Sequence, residues 1–137
     1  MIVYIKIYEM FKPIFLLNPR IDWAELTINP NAIHILEKNL DKVKWEGLSE
    51  NKNAIRLFEE NLYKINWYYL SWNINAIHII ENNLNKVHNW YGLSQNPNAI
   101  HILEKNTDKI IWNSLAENPN AIHILEQNLE KINIEYL

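Results

Sequence analysis

The sequence contains no cysteine, only two glycines and no long uninterrupted apolar stretch. Without cysteine there is no disulfide, no zinc site built from thiolates and no thiol nucleophile, which fits a reducing intracellular compartment. Lys6, Glu9 and Lys12 interrupt the most apolar segment, so it falls short of the roughly 18–20 residues that a membrane-spanning helix needs. The first residues also do not resemble a secretory leader. We therefore expect an intracellular protein that has no membrane partner.

A strong excess of either charge is also lacking, since 13 Lys and Arg stand against 16 Asp and Glu, giving a formal net charge of −3. This balance disfavours a general binder of nucleic-acid backbones, which needs clustered basic residues. Apolar residues make up 48% and charged residues 21% of the 137 residues. Such a composition is typical of a single globular domain that is large enough to bury a core.

Asparagine and isoleucine are unusually frequent, with 22 copies of each. The bias comes from an internal repeat, because alanine and tryptophan both recur at intervals of 22, 22, 23 and 22 residues. The one-residue insertion lies near His88 and Asn89, in the fourth of five repeats. The recurring residues are Ala32, Ala54, Ala76, Ala99 and Ala121, together with Trp23, Trp45, Trp67, Trp90 and Trp112. The five repeats begin at Arg20, Lys42, Lys64, Lys86 and Lys109.

Each repeat contains two helical patterns. In the first repeat Asn29 is a good N-cap, Pro30 suits the first helical position, and apolar residues then recur at helical spacing as far as Leu40. The pattern predicts a helix of about nine or ten residues that begins next to Asn29 and ends near Asn39. Because Asn tolerates the left-handed conformation, we expect Asn39 and its counterparts to end these helices in it. The shorter pattern, Trp-x-x-Leu, predicts one helical turn from Trp23.

Neither helix is long enough to be stable alone in water. Each repeat must bury its Ala, Ile, Leu and Trp side chains against the next, which predicts an all-α fold, an α-solenoid of about five and a half two-helix repeats. The array covers residues 20–137 and includes a partial sixth copy from Lys131 to Leu137. Residues 1–19 are interpreted as a divergent N-terminal capping repeat, with a β-strand over residues 2–8 as the alternative. Apolar residues at both ends also suggest end-to-end self-association.

Each repeat also carries a pair of asparagines, such as Asn29 and Asn31 in the first. One of the pair can cap its own helix, while the other can bond a backbone group of the neighbouring repeat. Because the pair recurs in every copy, such bonds would form a ladder along the solenoid. We interpret these asparagines as structural residues.

The repeat motif resembles one known group of proteins. The phrase Asn-Pro-Asn-Ala-Ile-His-Ile-Leu-Glu begins at Asn29, Asn96 and Asn118. It is similar to the short helical repeats found in many copies in proteins of mimivirus-like giant DNA viruses, and the resemblance covers residues 20–137. The resemblance implies a viral protein that binds something inside an infected host cell, in the host cytoplasm or the virion. It implies no catalytic residue and no cofactor. This chain departs from the motif at Arg56, where His is usual, and at Lys52 and Ile74, where Pro is usual.

Three recurring residue types could carry a function, and each also has a structural interpretation. A histidine row resembles metal ligands, but helices of adjacent repeats pack about 8–10 Å apart, which is too far to share one zinc ion. A lysine row could follow a nucleic-acid backbone, yet each lysine also lies where it can bind the last carbonyls of a helix. The tryptophans could stack on bases, but one Trp beside Leu in each repeat favours the core. The rows are His34, His78, His101 and His123, and Lys42, Lys64, Lys86, Lys109 and Lys131.

No constellation of catalytic residues is visible. The repeated serines belong to the repeat, aspartate occurs three times, and there is no glycine-rich phosphate loop. We therefore predict no enzymatic activity, no cofactor and no metal. The protein is interpreted as a non-catalytic protein–protein interaction or scaffold module, because solenoids present extended surfaces. The alternatives are a nucleic-acid-binding helical repeat protein and a structural, self-assembling component of a virus particle.

The predicted partner-binding residues are aromatic side chains that break the repeat. Trp72 occupies a position that is Ile28, Glu50, Gln95 or Glu117 in the other repeats, and Trp67 already fills the core position of its own repeat. Exposed Tyr and Trp gathered in one place are typical of binding hot spots. The set is Tyr63, Tyr68, Tyr69, Trp72 and Tyr91. The alternative is that these rings cover a local change in stacking that the insertion near His88 and Asn89 causes.

The solenoid model predicts the cost of two substitutions in the core. Replacing Ala76 with Leu should lower the free energy of unfolding by about 1–3 kcal/mol through overpacking. Replacing Trp67 with Ala should lower it by about 3–5 kcal/mol. Urea denaturation of both variants checks these values, and a Trp67→Ala variant as stable as wild type would show that the repeat register is wrong.

Overall fold

The structure, a computed structural model, describes residues 21–132, and every regular element in that range is helical. Five helices begin at the repeated tryptophans and are called the Trp helices. Five others begin after the repeated alanines and are called the Ile helices. The Trp helices are α1 (Trp23–Ile28), α3 (Trp45–Glu50), α5 (Trp67–Leu70), α7 (Trp90–Gln95) and α9 (Trp112–Leu115); the Ile helices are α2 (Ile33–Leu36), α4 (Ile55–Glu60), α6 (Ile77–Glu81), α8 (Ile100–Glu104) and α10 (Ile122–Glu126). The predicted all-α repeat solenoid is therefore confirmed. The capping repeat over residues 1–19, the strand alternative and the chain ends predicted to self-associate lie outside the described residues.

A single hydrophobic core runs through all the described repeats. Its centre consists of columns in which one residue type recurs, and Ala76 and Leu70 in the third repeat have no exposed surface. The Trp helices pack side by side, α1 against α3, α3 against α5 and α7 against α9. The repeated tryptophans are half-buried and pack against the core from its edge. Within residues 21–132 none of the helices has the length and apolar character to span a bilayer.

The predicted start of the Ile helices is found only in the first repeat, where Asn29 caps a 3-10 turn, Pro30–Ala32, that runs directly into α2. For the α-helices themselves the predicted start and length are wrong. They contain four to six residues rather than nine or ten, and each begins four residues after the asparagine that was expected to cap it. Asn51 instead ends α3 in an extended conformation, with φ −72° and ψ 111°, and its side chain accepts a hydrogen bond from the N–H of Asn53. This turn delays the α-helix, which begins only after Ala54. The two helices of a repeat are consequently similar in length.

The asparagines at the ends of the Ile helices also differ from the prediction. These helices do end near the expected residues, but no residue in the described part of the chain has a positive φ. Asn61 has φ −137° and ψ 43°, and its side-chain amide donates to the carbonyl of Leu57, one turn earlier. An amide donor therefore satisfies an orphan helix carbonyl without left-handed backbone. The same bond recurs in Asn39, Asn83, Asn106 and Asn128.

The asparagine pair that precedes each Ile helix forms the predicted ladder between repeats. In the third repeat the Asn73 side chain accepts from the N–H of Asn75 and donates to the carbonyls of Ser49, at 3.0 Å, and Asn51, at 3.2 Å. Asn75 adds a bond to the carbonyl of Lys52. Both members of the pair therefore bind the preceding repeat, whereas only one was expected to do so. Equivalent bonds to the preceding repeat are made by Asn51, Asn53, Asn96, Asn98, Asn118 and Asn120.

The two asparagines of the ladder should contribute unequally to stability. Asn73 is 2% exposed and makes three hydrogen bonds. Asn73→Ala removes the Asn73 bond to the Ser49 carbonyl and one of the two bonds to the Asn51 carbonyl, which still accepts from Ala54, so we expect a loss of about 2–3 kcal/mol in the free energy of unfolding. Asn75 is exposed, so Asn75→Ala should cost about 1 kcal/mol or less.

Asn73→Asp separates the donor from the acceptor. It keeps the oxygen that accepts from Asn75 but replaces the amide donor with a carboxylate facing two carbonyl oxygens. We expect it to cost at least as much as Asn73→Ala at neutral pH. Urea denaturation of the three variants measures the costs, and equal losses for Asn73→Ala and Asn75→Ala would contradict the ladder.

Candidate functional site

Four of the five predicted partner-binding residues come together on the surface of the third and fourth repeats. The Tyr68 ring centroid lies 5.3 Å from that of Tyr69 and 5.2 Å from that of Trp72, and Trp72 lies 6.1 Å from Tyr91. All three contacts are edge-to-face, an arrangement that aromatic pairs favour. We call Tyr68, Tyr69, Trp72 and Tyr91 the aromatic cluster. Tyr63 is not part of it: its ring is 81% exposed and contacts the ammonium of Lys64.

Burial divides the aromatic cluster into two kinds of residue. Tyr68 is 54% and Tyr91 47% exposed, whereas Tyr69 and Trp72 are half-buried. The Trp72 indole Nε1 donates to Oε1 of Gln95 at 2.9 Å, and Gln95 Nε2 donates to Oε2 of Glu117 at 2.7 Å. Trp72 is therefore held by the next repeat. It is not surplus to the fold, as the sequence suggested, and it supports the two exposed tyrosines on either side.

Gly92 provides the space that Trp72 occupies. A Cβ atom at Gly92 would lie 2.7 Å from Cδ2 of Trp72 and 2.4 Å from Oγ of Ser71. The other glycine of the chain, Gly47, holds the same repeat position and would place its Cβ 3.0 Å from Ile28. Ile28 and Trp72 are the two apolar residues at their own repeat position. Each glycine therefore lies against a bulky apolar side chain of the preceding repeat: Gly47 against Ile28, and Gly92 against Trp72.

The hydrogen bonds differ at the junction of the third and fourth repeats, next to the insertion. At other junctions the backbone N–H just before the Trp helix donates to a hydroxyl of the preceding repeat, as Asn66 does to Ser49 and Ile111 to Ser94. Here the side-chain amide of Asn89 bonds Ser71 Oγ, and the Tyr68 carbonyl as well, both at 3.1 Å.

At the same junction the ladder lacks one hydrogen bond, and the Trp helices pack together less extensively. Asn96 bonds only the Ser71 carbonyl of the preceding repeat, whereas Asn118 bonds two carbonyls. Helices α5 and α7 also lack the extensive packing that joins the other neighbouring Trp helices. The aromatic cluster thus lies over a junction whose hydrogen bonds differ from those of the other junctions. Sequence reasoning missed the roles of Asn89, Gly92 and Gln95, although the two glycines were a visible signal.

The repeated lysines do not bind helix carbonyls as expected. Each Nζ lies 4.7–5.4 Å from the ring centroid of the tryptophan one repeat earlier, a cation–π contact. The pairs are Lys42–Trp23, Lys64–Trp45, Lys86–Trp67, Lys109–Trp90 and Lys131–Trp112. The lysine row therefore covers the outer faces of half-buried core residues, and both rows are accounted for by packing between repeats.

The histidines pair with glutamates of the preceding repeat. His78 Nε2 lies 3.0 Å from Glu59, and the same contact joins His101 to Glu81 and His123 to Glu104. In the second repeat Arg56 bonds Glu60 of its own helix at 2.9 Å, and this hydrogen bond, with the charge of Glu60, raises the pKa of Arg56 above its ordinary value. No group of three or more His, Cys, Asp or Glu that could hold a metal ion is found between residues 21 and 132.

Gly92→Ala should push Trp72 out of its position. We expect it to lower the free energy of unfolding by about 1–3 kcal/mol, because its Cβ meets a packed ring and a bonded hydroxyl. Gly47→Ala is the matched control: Ile28 is 57% exposed and can move, and Ala favours a helix over Gly by about 1 kcal/mol. Equal losses in urea denaturation would contradict the packing role. The cost of Gly92→Ala should also shrink in a Trp72→Ala background.

Comparisons of the chain with protein-family models, with curated proteins and with solved structures gave no match. The viral origin that the repeat motif suggests therefore stays a hypothesis. The function proposed below is derived from the geometry and charge of the described side chains.

Proposed function

We propose that the protein is a non-catalytic protein–protein interaction or scaffold module and that it binds its partner through the aromatic cluster. One observation carries the proposal: Tyr68 and Tyr91 are about half exposed on either side of Trp72, which is itself held in place by a hydrogen bond. Tyr and Trp dominate binding hot spots because they bury a large apolar area with few rotatable bonds.

The surroundings of the cluster favour binding without large rearrangement. Trp72 contacts both tyrosine rings and is bonded to Gln95, while Gln95 is bonded to Glu117 of the fifth repeat. A surface that is already ordered loses little conformational entropy when a partner binds. The resemblance to giant-virus repeats adds the proposal that this interaction takes place in an infected cell or in the virion.

The nucleic-acid alternative has no specific contact in its favour. The lysines that could follow a phosphate backbone lie over tryptophan rings, and those tryptophans are half-buried rather than presented for stacking on bases. The alternative of a structural particle component likewise stays a prediction. We therefore carry one function forward, and Tyr63 is its natural control because it is exposed and lies outside the cluster.

A selection from a random peptide library displayed on phage tests the proposal. The bait is the full chain, and enriched peptides are then measured against wild type, a Tyr68→Ala/Tyr91→Ala variant and a Tyr63→Ala control. We expect enriched peptides to bind the double variant about tenfold or more weakly, since two hot-spot rings are lost, and to bind Tyr63→Ala like wild type. Thermal melting confirms that all three are folded. Peptides that bind wild type and the double variant equally would contradict the proposal.

A further inference from the structure

The charges carried by the Trp helices themselves are of one sign. The Trp helices contain Glu25, Glu46 and Glu50 and no Lys or Arg. Glu46 holds the same repeat position as Tyr68, and Glu50 the same position as Trp72, one repeat earlier. On the other side of the cluster, Glu117 bonds Gln95. Exposed carboxylates therefore stand before and after the aromatic cluster along the solenoid.

The basic side chains nearest in sequence lie outside the Trp helices. Lys64 is held over Trp45 and Lys86 over Trp67. Lys44 and Lys52 are exposed and stand just before and just after α3, the helix that carries Glu46 and Glu50, whereas no Lys or Arg follows Glu117 before Lys131. The Glu117 carboxylate accepts one bond, from Gln95, and a carboxylate can accept about four. Acceptor capacity for a cationic group is thus present beside the rings.

The two exposed tyrosines offer aromatic surface to a cation. The contacts of Trp72 with Tyr68 and Tyr91 are edge-to-face at interplanar angles of 67° and 63°. Because both tyrosines are about half exposed, part of each ring is open to a partner. A guanidinium stacks on an aromatic face and binds a carboxylate through two parallel N–H bonds. An ammonium is not planar: it can lie over a ring, but it cannot stack on it or form the paired bonds.

We propose that the aromatic cluster and its flanking glutamates bind a basic, arginine-bearing segment of a protein partner. This inference rests on the proposed function and specifies the chemistry of its partner. Arginine side chains stack on Tyr68 and Tyr91, and Glu46, Glu50 and Glu117 bind their guanidinium groups or neighbouring basic residues. An acidic or purely apolar segment would leave these carboxylates unpaired next to the partner.

The test uses fluorescein-labelled hexa-arginine, with hexa-lysine as the charge-matched probe, in fluorescence anisotropy titrations at low and at physiological salt. We expect hexa-arginine to bind wild type several-fold more tightly than hexa-lysine. The Tyr68→Ala/Tyr91→Ala variant should lose about tenfold in affinity for hexa-arginine. The Glu46→Gln/Glu50→Gln variant should lose several-fold and show a weaker salt dependence.

Two control variants are matched to these changes. Tyr63→Ala removes an exposed tyrosine outside the cluster, and Glu126→Gln/Glu130→Gln removes the same two charges from exposed positions elsewhere. Both should bind hexa-arginine within about twofold of wild type, apart from long-range charge effects that salt removes. On wild-type protein, the NMR signal of the Trp72 indole N–H should shift on addition of hexa-arginine while that of Trp112 does not.

The outcomes separate the two proposals. Equal binding of hexa-arginine and hexa-lysine, or unchanged binding to the Tyr68→Ala/Tyr91→Ala variant, overturns the inference. If phage-selected peptides need Tyr68 and Tyr91 but carry no excess of arginine, the proposed function stands and the inference falls. If neither those peptides nor hexa-arginine depends on the two tyrosines, both fall. Arginine-rich selected peptides that lose affinity on both double variants, but on neither control, support the inference.

Discussion

One asparagine in each repeat from the second to the fifth joins it to the repeat before. Its side-chain amide donates to the backbone of the preceding repeat, while its side-chain oxygen accepts from a backbone N–H of its own repeat, as in Asn51, Asn73, Asn96 and Asn118. The helices contain only four to six residues, so most of their backbone groups have no partner within the helix. Buried groups of this kind are costly unless something else bonds them. The asparagine amide supplies both a donor and an acceptor at the required place. Short helices can form a stable array here because each repeat completes the hydrogen bonding of the one before.

The same constraint explains where variation can occur. The asparagines, alanines and leucines that join repeats recur in every described copy, whereas outward positions on the Trp helices range from Glu46 and Glu50 to Tyr68 and Trp72. A partner surface can therefore be assembled on the Trp helices without disturbing the ladder. The aromatic cluster lies at the junction of α5 and α7, close to the insertion, where Trp72 packs against Gly92. Trp72 thus belongs to the packing between repeats, while Tyr68 and Tyr91 are the exposed residues of the cluster.

The period, the alternation of two helices and the buried alanines could be predicted from the sequence, because each is repeated and depends on local pattern. The helix start at Ile55 could not, because an asparagine that caps a helix and one that forms a turn look alike in sequence. What decides between them is the bond from Asn51 to a carbonyl 24 residues earlier. The lysine contacts were missed for the same reason, since Lys64 and Trp45 belong to different repeats. For the site, the aromatic residues were visible as departures from the repeat, but the role of Gly92 depended on which side chain packs above it.

The side chain of Asn89 bonds Ser71 where other junctions use a backbone N–H. An amide on a flexible stem reaches further than a peptide group, so it can span the distance that one extra residue creates. The fourth repeat is one residue longer than the other complete repeats. A single polar residue of suitable reach makes such a copy acceptable. In the fifth repeat the residue before the tryptophan is Ile111, whose side chain has no amide that could replace the backbone donor if a residue were added. Tolerance to changes in length is therefore a local property of the sequence.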